Sequence, residues 1–463
     1  MNLGWYDKLI GVLPEVAAPK QKRLSFKEKI KWTIIVLVLF YVLGLIPLAG
    51  LGGNALQQFE FLSTILGASF GSIISLGIGP IVTASIVLQL LNGSGLVKFD
   101  LTTHEGKMRF QGTQKIMSIA FIVIEAAIYV GMGGLTPSVG IPVGFLVFQI
   151  FLGGLMIMFM DEVVSKWGFG SGISLFIAAG VSQRLFVRAL SFLKPEGAEG
   201  PTQFIGAIPR LFAALINQEP TTAMLALVPL IATGVVFALA VYAQSMKVEI
   251  PLSFGRIRGH GIRWPLNFIY TSNIPVILVA ALLANIQLFA TLLVNWGRPF
   301  LGNPNAGTGF VSWIAVPGGG DGLVGLLIRQ GTFVLGAKPY LQAIFYVLLL
   351  MGGSVLFSMF WVQTSGLDAK SQARQMMASG LQIPGFRKDQ RVLERMLQRY
   401  IGPLTVMGAL AVGFLAAAAD LLGALVSGTG LLLTVMIIYR LYEDIAKQHM
   451  MDMNPMMRKF MGA

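Results

Sequence analysis

The sequence predicts an all-α membrane protein with ten transmembrane helices. Three observations lead to this fold class: hydrophobic residues make up 55% of the 463 residues, charged residues make up only 12%, and ten apolar stretches divide the chain. Such a composition suits lipid rather than a compact aqueous core, because a membrane helix needs about twenty predominantly apolar residues. The number of apolar stretches therefore sets the number of predicted spans.

The distribution of basic residues predicts the orientation. When the segments between the stretches are assigned alternately to two faces, one face holds only seven of the 34 Lys and Arg residues. These seven are Arg184, Arg188, Lys194, Arg210, Arg298, Arg329 and Lys338, and the same face holds six acids, Glu60, Glu196, Glu199, Glu219, Asp321 and Asp420. Because basic loops stay on the cytoplasmic side, the other face is predicted to be cytoplasmic, with both termini on it. That face suits anionic lipid heads or nucleic-acid phosphates.

The apolar stretches give the spans in chain order. Residues 61–97 form a run of 37 residues without a charge, which is too long for one helix. We expect one span plus a shorter re-entrant piece there, since non-helical backbone at membrane depth must be buried in protein or line a cavity. The other nine spans are predicted at residues 33–51, 116–134, 142–160, 172–190, 223–246, within 265–297, 339–367, 403–422 and 431–442.

The number of spans also predicts the symmetry of the fold. Five spans in each half put the sixth span on the side opposite the first, which is the arithmetic of an inverted repeat. We therefore expect two pseudo-symmetric inverted halves, residues 1–190 and 223–463, joined by an external hinge segment at residues 191–222. Cytoplasmic loops are expected at about residues 247–264 and 368–400. No strong residue-level repeat is visible between the halves.

The sequence offers little for catalysis or metal binding. There are no cysteines, which excludes disulfides, iron–sulfur clusters and thiol catalysis. His104, His260 and His449 lie far apart in predicted cytoplasmic segments, so no metal site is predicted and an intramembrane hydrolase lacks its base. No nucleotide-binding motif is present. We therefore expect neither enzyme activity nor a cofactor.

Glu125 is the one acidic residue predicted deep inside a span. Proton-coupled transport needs intramembrane carboxylates, so a secondary transporter of a small solute is the alternative that Glu125 permits. The residue pattern alone leaves open whether the polar groups near it join helices or line a functional seam. The polar side chains available on other spans are Thr83, Gln89, Asn273, Asn285 and Gln287.

Two apolar pairs at helical spacing stand beside glycine-rich breaks. Ile78 and Val82 are four residues apart and share a helix face, as do Ile173 and Ile177. Periodicity alone predicts ordinary helix packing for these residues.

A series of motifs runs through the chain in order. They are LGIGPIVTA at residues 76–84, GSGI at 170–173, FIAAG at 176–180, VEIPL at 248–252, YTSNIPVIL at 270–278 and GTG at 428–430. The ordered set closely resembles the SecY family, whose members form the pore of the Sec protein-conducting channel. The resemblance covers nearly the whole chain, and the short external loops look more like the archaeal branch of the family.

The resemblance implies a role for each motif. The family's pore ring, a belt of apolar side chains at the waist of an hourglass, falls on Ile78, Val82, Ile173, Ile177, Ile277 and Leu433. The family's plug, a short helix that rises from the external side, matches residues 59–70, which include Phe59, Glu60, Phe61, Leu62, Ser63, Thr64 and Ile65. The family's lateral gate lies between the second and third spans on one side and the seventh and eighth on the other. Its polar positions match Thr83, Glu125 and Asn285.

The resemblance also implies partners. Arg256, Arg258, Arg387 and Lys388 match the loops with which the family docks the ribosome, and guanidinium forks suit RNA phosphates. A ribosome or a cytosolic motor would then drive nascent secretory and membrane proteins through the pore. The family's channel also contains two small subunits, a SecE-type clamp and one of the Sec-beta or SecG type. We expect the protein in the cell membrane, in contact with its lipids.

Overall fold

The computed structural model describes residues 12–20, 24–56, 67–93, 96–97, 99, 103–194, 200, 202–254, 261–271, 274–303, 307–331, 336–378, 381–382 and 389–453. Helices occupy all ten predicted spans, and four short helices lie between spans. In chain order the helices are α1 (Phe26–Leu45), α2 (Gly79–Gly93), α3 (His104–Gly131), α4 (Val143–Trp167), α5 (Gly172–Leu190), α6 (Ala207–Ile216), α7 (Pro220–Ser245), α8 (Ile274–Asn295), α9 (Gly309–Ile314), α10 (Gly322–Gln330), α11 (Lys338–Thr364), α12 (Ala369–Ala378), α13 (Gln390–Leu421) and α14 (Gly428–Met453).

Eight segments of the described chain are long and apolar enough to cross a membrane by length and composition. Six of them fall on α3, α4, α5, α7, α8 and α13. Of the other two, Lys338–Met377 runs from α11 into α12, and Gly309–Gln330 is divided between α9 and α10. The predicted spans that are left belong to α1, α2 and α14, of which α2 has only 15 residues. The helical membrane fold is confirmed, and the count of ten spans stays a prediction.

Several helices extend beyond their apolar stretches. α3 begins at His104 rather than at residue 116, and α13 begins at Gln390 rather than at residue 403. Thr103 and Asp389 cap these extensions, because each side chain accepts a hydrogen bond from a backbone N–H in the first turn. Hydropathy locates only the apolar part of a helix, so it does not detect these polar first turns.

Two small sheets make the fold less purely helical than expected. Their strands are β1 (Leu51–Asn54), β2 (Leu135–Pro137), β3 (Lys247–Phe254), β4 (Gly261–Asn267) and β5 (Leu381–Gln382). β1 pairs with β2, and β3 pairs with both β4 and β5, so one sheet joins the two predicted cytoplasmic loops. The sequence does carry a signal for β3, because polar and apolar residues alternate in it as is typical of a strand. In the structure the polar Glu249 is exposed and the apolar Ile250 is buried.

Residues 67–78, which precede α2, are not helical. The turn after α1 supports their backbone: the Leu48 N–H donates to the Gly71 carbonyl, and the Ile73 N–H donates to the Ile46 carbonyl. These bonds satisfy groups that lipid cannot satisfy. The described part of the run 61–97 therefore agrees with a span preceded by a buried, non-helical piece.

Glycines let α4 approach this non-helical piece closely. A β-carbon on Gly153 would lie 1.9 Å from the Ile73 carbonyl oxygen, and one on Gly154 would lie 2.6 Å from Ile122 Cγ2 of α3. Small residues serve this purpose in membrane proteins, where close backbone contact replaces the hydrophobic driving force. The glycine pair therefore packs α4 against both α3 and the residues before α2.

The largest buried apolar cluster joins the two halves of the chain. Its members come from α1, α2, α4 and α5 in the first half and from α7, α8, α11, α13 and α14 in the second. The described ends of the chain meet at one edge of the bundle. There the Val16 N–H donates to Glu162 Oε2 of α4 at 2.9 Å, and Gln448 Nε2 of α14 donates to the Leu24 carbonyl at 2.9 Å.

Candidate functional site

The six residues predicted to form the pore ring meet in the largest apolar cluster. They come from α2 and the residue before it, α5, α8 and α14, so each half contributes two helices. Five of the six are buried members of the cluster and the sixth packs against it: Ile78, Val82, Ile177, Ile277, Leu433 and the half-buried Ile173. Residues that are far apart in sequence therefore share one apolar region.

All six residues lie in, or directly before, the first two turns of their helices. α2 begins at Gly79, α5 at Gly172, α8 at Ile274 and α14 at Gly428. The first four backbone N–H groups of any helix lack partners within that helix. The candidate ring is therefore built from helix beginnings, which bring unpaired donors close to an apolar region.

Two cavities lie on either side of the candidate ring. The larger, of about 740 Å³, is lined by part of α5 from Gly180 to Arg188 and by residues 423–425 before α14. The smaller, of about 330 Å³, is lined by the beginning of α5 and by part of α14 from Met436 to Asp444. Ile177 of α5 and Leu433 of α14 fall between the residues that line the two cavities, whereas Ile173 lies among the α5 residues that line the smaller cavity. Two cavities with apolar residues between them agree with the hourglass that the resemblance implies.

The charges in the cavities agree with the predicted orientation. Arg184, Arg188 and Arg210, assigned above to the external face, line the larger cavity. Arg440 and Asp444, assigned to the cytoplasmic face, line the smaller one.

The described end of the predicted plug lies against the candidate ring. Gly67 has a φ of +53°, and a β-carbon placed on it would lie 3.8 Å from Phe176 Cβ and 3.9 Å from Ile78 Cγ2. Residues 67–69 also line the larger cavity. The seven named plug residues, Phe59 to Ile65, lie outside the described residues. Only the end of the segment can therefore be placed, and it sits beside the ring on the side of the larger cavity.

A hydrogen bond joins two of the three predicted gate residues. Asn285 Nδ2 of α8 donates to Thr83 Oγ1 of α2 at 2.9 Å, and the Thr83 hydroxyl donates to the Gly79 carbonyl at 2.9 Å. Thr83 follows the ring residue Val82 directly. The bond therefore ties one half of the chain to the other within one residue of the ring.

Glu125 of α3 lies at the same seam. Its carboxyl group lies beside the Thr83 hydroxyl, and its side chain is almost fully buried. Neither of its carboxyl oxygens has a hydrogen-bond partner among the described residues, and the same holds for the Tyr129 hydroxyl one helical turn further on. Buried polar groups without partners lower stability, so this part of the seam is held less firmly than a fully paired one.

The helices that meet at the seam are those expected for the lateral gate. α2 contacts both α8 and α11. α3 and α8 share a second buried cluster, to which α3 contributes Ile122 and Ala126 and α8 contributes Ala280, Ala284 and Leu288. The second span therefore contacts the seventh and eighth, and the third span shares a buried cluster with the seventh.

Two carboxylates near the ring helices, the half-buried Asp161 and the buried Asp420, are absent from the sequence-based site. Asp161 Oδ1 of α4 accepts the Ile173 N–H at 2.9 Å. Asp420 of α13, which the charge pattern assigned to the external face, is only 6% exposed, and its Oδ1 accepts the Gly428 N–H at 2.6 Å. The available signal is an acid near the end of an apolar run, shortly before a Gly- and Ser-containing helix start.

The predicted docking residues Arg256, Arg258, Arg387 and Lys388 lie outside the described residues. The strands β3 and β4, which pair with each other, stand on either side of residues 255–260 in the sequence. Among the described residues no group of three or more His, Cys, Asp or Glu side chains is arranged to hold a metal ion.

Comparison with known proteins identifies the family. The sequence profile of SecY matches residues 72–442. A relative from Methanothermobacter thermautotrophicus, named protein translocase subunit SecY, is 45% identical over 462 residues, covering 99% of this chain and 98% of the relative. One similar solved structure is described with the statement that the plug domain of the SecY protein stabilizes the closed state of the translocation channel and maintains a membrane seal. It has a TM-score of 0.80 and 41% identity over 96% of this chain and 97% of that chain.

A second similar structure is Sec61 in the canine ribosome–channel complex from the endoplasmic reticulum. It has a TM-score of 0.78 and 41% identity, and the match again covers 96% of this chain and 97% of that chain. These matches span nearly the full length of the chain in both sequence and fold. The chain belongs to the SecY family.

Proposed function

We propose that this chain is the pore subunit of a protein-conducting channel, which passes unfolded polypeptides across the membrane and releases apolar helices sideways into lipid. The observation that carries the proposal is the apolar cluster between two cavities, in which ring residues from both halves meet. The family supports this function and not the transport of a small solute. The channel itself is not an enzyme, so a partner must supply the driving force.

The ring seals the resting channel by excluding water. Isoleucine, valine and leucine side chains offer water no hydrogen bonds and offer ions no ligands, so a narrow ring of them dewets. The same side chains are flexible enough to yield around a passing polypeptide. Both the closed and the conducting state therefore follow from one set of apolar residues.

The plug, residues 59–70, adds to this seal from the external side. Gly67 supports this role because it lies against Ile78 and lines the larger cavity. A plug that occupies this cavity would have to leave before a polypeptide enters. The similar SecY structure, in which a plug stabilizes the closed state, also supports the assignment.

The lateral gate opens where α2 and α3 face α8 and α11. The Thr83–Asn285 bond holds the seam, and interhelical hydrogen bonds in membranes contribute only about 1 kcal/mol each. An apolar signal helix that prefers lipid can therefore separate the two sides. Glu125 weakens the closed seam further, since its buried carboxyl group has no hydrogen-bond partner among the described residues.

The partners follow from the same family. We assign the basic loops 247–264 and 368–400 to a ribosome or a cytosolic motor, and the canine relative is itself described in a ribosome–channel complex. Two small subunits, a SecE-type clamp and one of the Sec-beta or SecG type, complete the assembly. The chain then lies in the cell membrane with both termini in the cytoplasm, as the basic loops favour.

Replacing Ile78, Val82 and Ile173 together with Ser tests the ring. Polar side chains should wet the constriction and raise the resting ion conductance on the order of tenfold, which equals a barrier lower by about 1.4 kcal/mol. Single-channel recording in planar bilayers measures this. A variant with unchanged resting conductance would show that these residues do not form the seal.

Paired cysteines test the gate. In Thr83→Cys/Asn285→Cys the two side chains should form a disulfide on oxidation, which requires Cα atoms within about 7 Å. Oxidation should stop membrane insertion of signal-bearing chains, and reduction should restore it. The matched control is Thr83→Cys/Gln287→Cys, because Gln287 points away from Thr83 and donates to the Ile314 carbonyl. Crosslinking of the first pair without loss of insertion contradicts the gate assignment.

Charge reversal tests docking. Arg256→Glu/Arg258→Glu should weaken binding to non-translating ribosomes and flatten its dependence on salt, because fewer phosphate counterions are released. The control, Lys22→Glu/Arg23→Glu, changes the same charge elsewhere on the predicted cytoplasmic face. If the control loses ribosome binding while the first variant binds fully, the assignment of docking to the loop of Arg256 and Arg258 is wrong.

A further inference from the structure

We propose that Asp161 and Asp420 form a matched pair of positioning residues, which hold the first turns of α5 and α14 where the pore ring needs them. This inference rests on the proposed ring, because α5 carries Ile173 and Ile177 and α14 carries Leu433. It adds to the channel two carboxylates that touch neither the translocating chain nor the gate.

In the first half the carboxylate binds a ring residue directly. Asp161 lies near the end of α4, and its Oδ1 accepts the backbone N–H of Ile173 at 2.9 Å. The Ser171 hydroxyl also donates to Asp161 Oδ1, at 3.4 Å. The acceptor therefore comes from a neighbouring helix rather than from the usual cap position next to the helix. Any shift of the first turn of α5 relative to α4 breaks a bond that ends on Ile173.

In the second half an aspartate carboxylate again joins the fourth span to the start of the fifth. Asp420 lies at the end of α13, and its Oδ1 accepts the N–H of Gly428, where α14 begins, at 2.6 Å. Its Oδ2 accepts the Tyr346 hydroxyl of α11 at 2.7 Å. Both carboxyl oxygens are thus used, and Leu433 follows in the second turn of α14. Tyr346 therefore holds the Asp420 carboxylate in place, and the carboxylate holds the first turn of α14.

Glycine completes both contacts. Helix α5 begins at Gly172, where a β-carbon would lie 2.5 Å from Asp161 Cα. Helix α14 begins at Gly428, where a β-carbon would lie 2.1 Å from the Ala416 carbonyl oxygen of α13. Both α5 and α14 therefore start with a glycine pressed against the preceding helix, and each has a backbone N–H in its first turn bonded to that helix's aspartate.

The two contacts occupy corresponding places in the inverted halves. α4 and α5 are the fourth and fifth spans of the first half, and α13 and α14 are the fourth and fifth spans of the second. The separation from the carboxylate to the bonded N–H is 12 residues in one half and eight in the other. A sequence comparison with fixed spacing therefore cannot align these two contacts. A role shared by both halves accounts for the correspondence better than two unrelated caps.

Isosteric substitutions provide the test. Asp161→Leu and Asp420→Leu keep the shape but remove the acceptor, so each should raise resting ion conductance about fivefold, which equals about 1 kcal/mol at 1.4 kcal/mol per tenfold. Asp161→Asn and Asp420→Asn keep an acceptor oxygen and should stay near the unmodified conductance. Planar-bilayer recording measures all four variants against the unmodified channel.

Asp389→Leu is the matched control. Asp389 caps α13 through the Arg391 N–H at 2.9 Å, but α13 carries no predicted ring residue. This variant should lose thermal stability without gaining conductance. If the Asp161 and Asp420 variants also lose only stability, both carboxylates are ordinary structural caps and the proposal is overturned.

A distance measurement separates failure of this proposal from failure of the ring. The chain lacks cysteine, so spin labels can be placed at Lys166→Cys and Ser174→Cys, on α4 and on the first turn of α5. Asp161→Leu should broaden or shift the distance distribution, whereas Asp161→Asn should not. An unchanged distribution overturns positioning even if the ring variants leak. A shifted distribution without a leak in the ring variants would instead contradict the ring.

Gly172→Ala keeps the test decisive if a leucine variant does not fold. It retains the carboxylate but adds the β-carbon that would contact Asp161, so the same turn of α5 must move. The spin-label distance and the resting conductance should both change. Unchanged values in a folded Gly172→Ala protein would contradict the proposal.

Discussion

One constraint governs the pore: helix beginnings must meet in an apolar region without leaving their backbone N–H groups unpaired. The seal needs isoleucine, valine and leucine side chains, yet every helix that begins there brings free donors with it. The fold meets both needs by supplying acceptors from helices that carry no ring residue. For α5 and α14 these acceptors are Asp161 of α4 and Asp420 of α13.

The same geometry links the seal to the lateral gate. On α2 the proposed ring residue Val82 and the proposed gate residue Thr83 are consecutive, so we expect opening of the gate to disturb the ring. On α8 the ring residue Ile277 and the gate residue Asn285 are eight residues apart, which is about 12 Å along a helix. Separation of α2 from α8 therefore breaks the Thr83–Asn285 bond and at the same time moves Val82 away from Ile277. Opening toward lipid and opening across the membrane become parts of one motion.

The sequence predicts the features that local patterns encode. Apolar runs locate the helices, the charge asymmetry predicts the orientation, and the resemblance carried by the ordered motifs predicts the six ring residues. Hydropathy misses the polar first turns of α3 and α13, because side-chain caps such as Thr103 extend a helix beyond its apolar part. The sequence likewise indicates the hairpin of β3 and β4 only by a short alternation of polar and apolar residues.

The features that the sequence does not predict depend on pairs of residues far apart in the chain. The charge pattern assigned Asp420 to the external face but predicted no partner for its carboxylate. In the fold it is buried against Tyr346 and the start of α14. Thr83 and Asn285 match the family's gate, but only the fold shows that they bond across 202 residues.

Cysteine accessibility in sealed vesicles tests the central claim most directly, because the chain has no cysteine of its own. In the resting channel Arg184→Cys should react with a membrane-impermeant thiol reagent only from the external side, and Arg440→Cys only from the cytoplasmic side. Val82→Cys should react from neither side until a translocating chain occupies the pore. If Val82→Cys reacts in the resting channel as fast as the two cavity variants, the apolar cluster is not the seal.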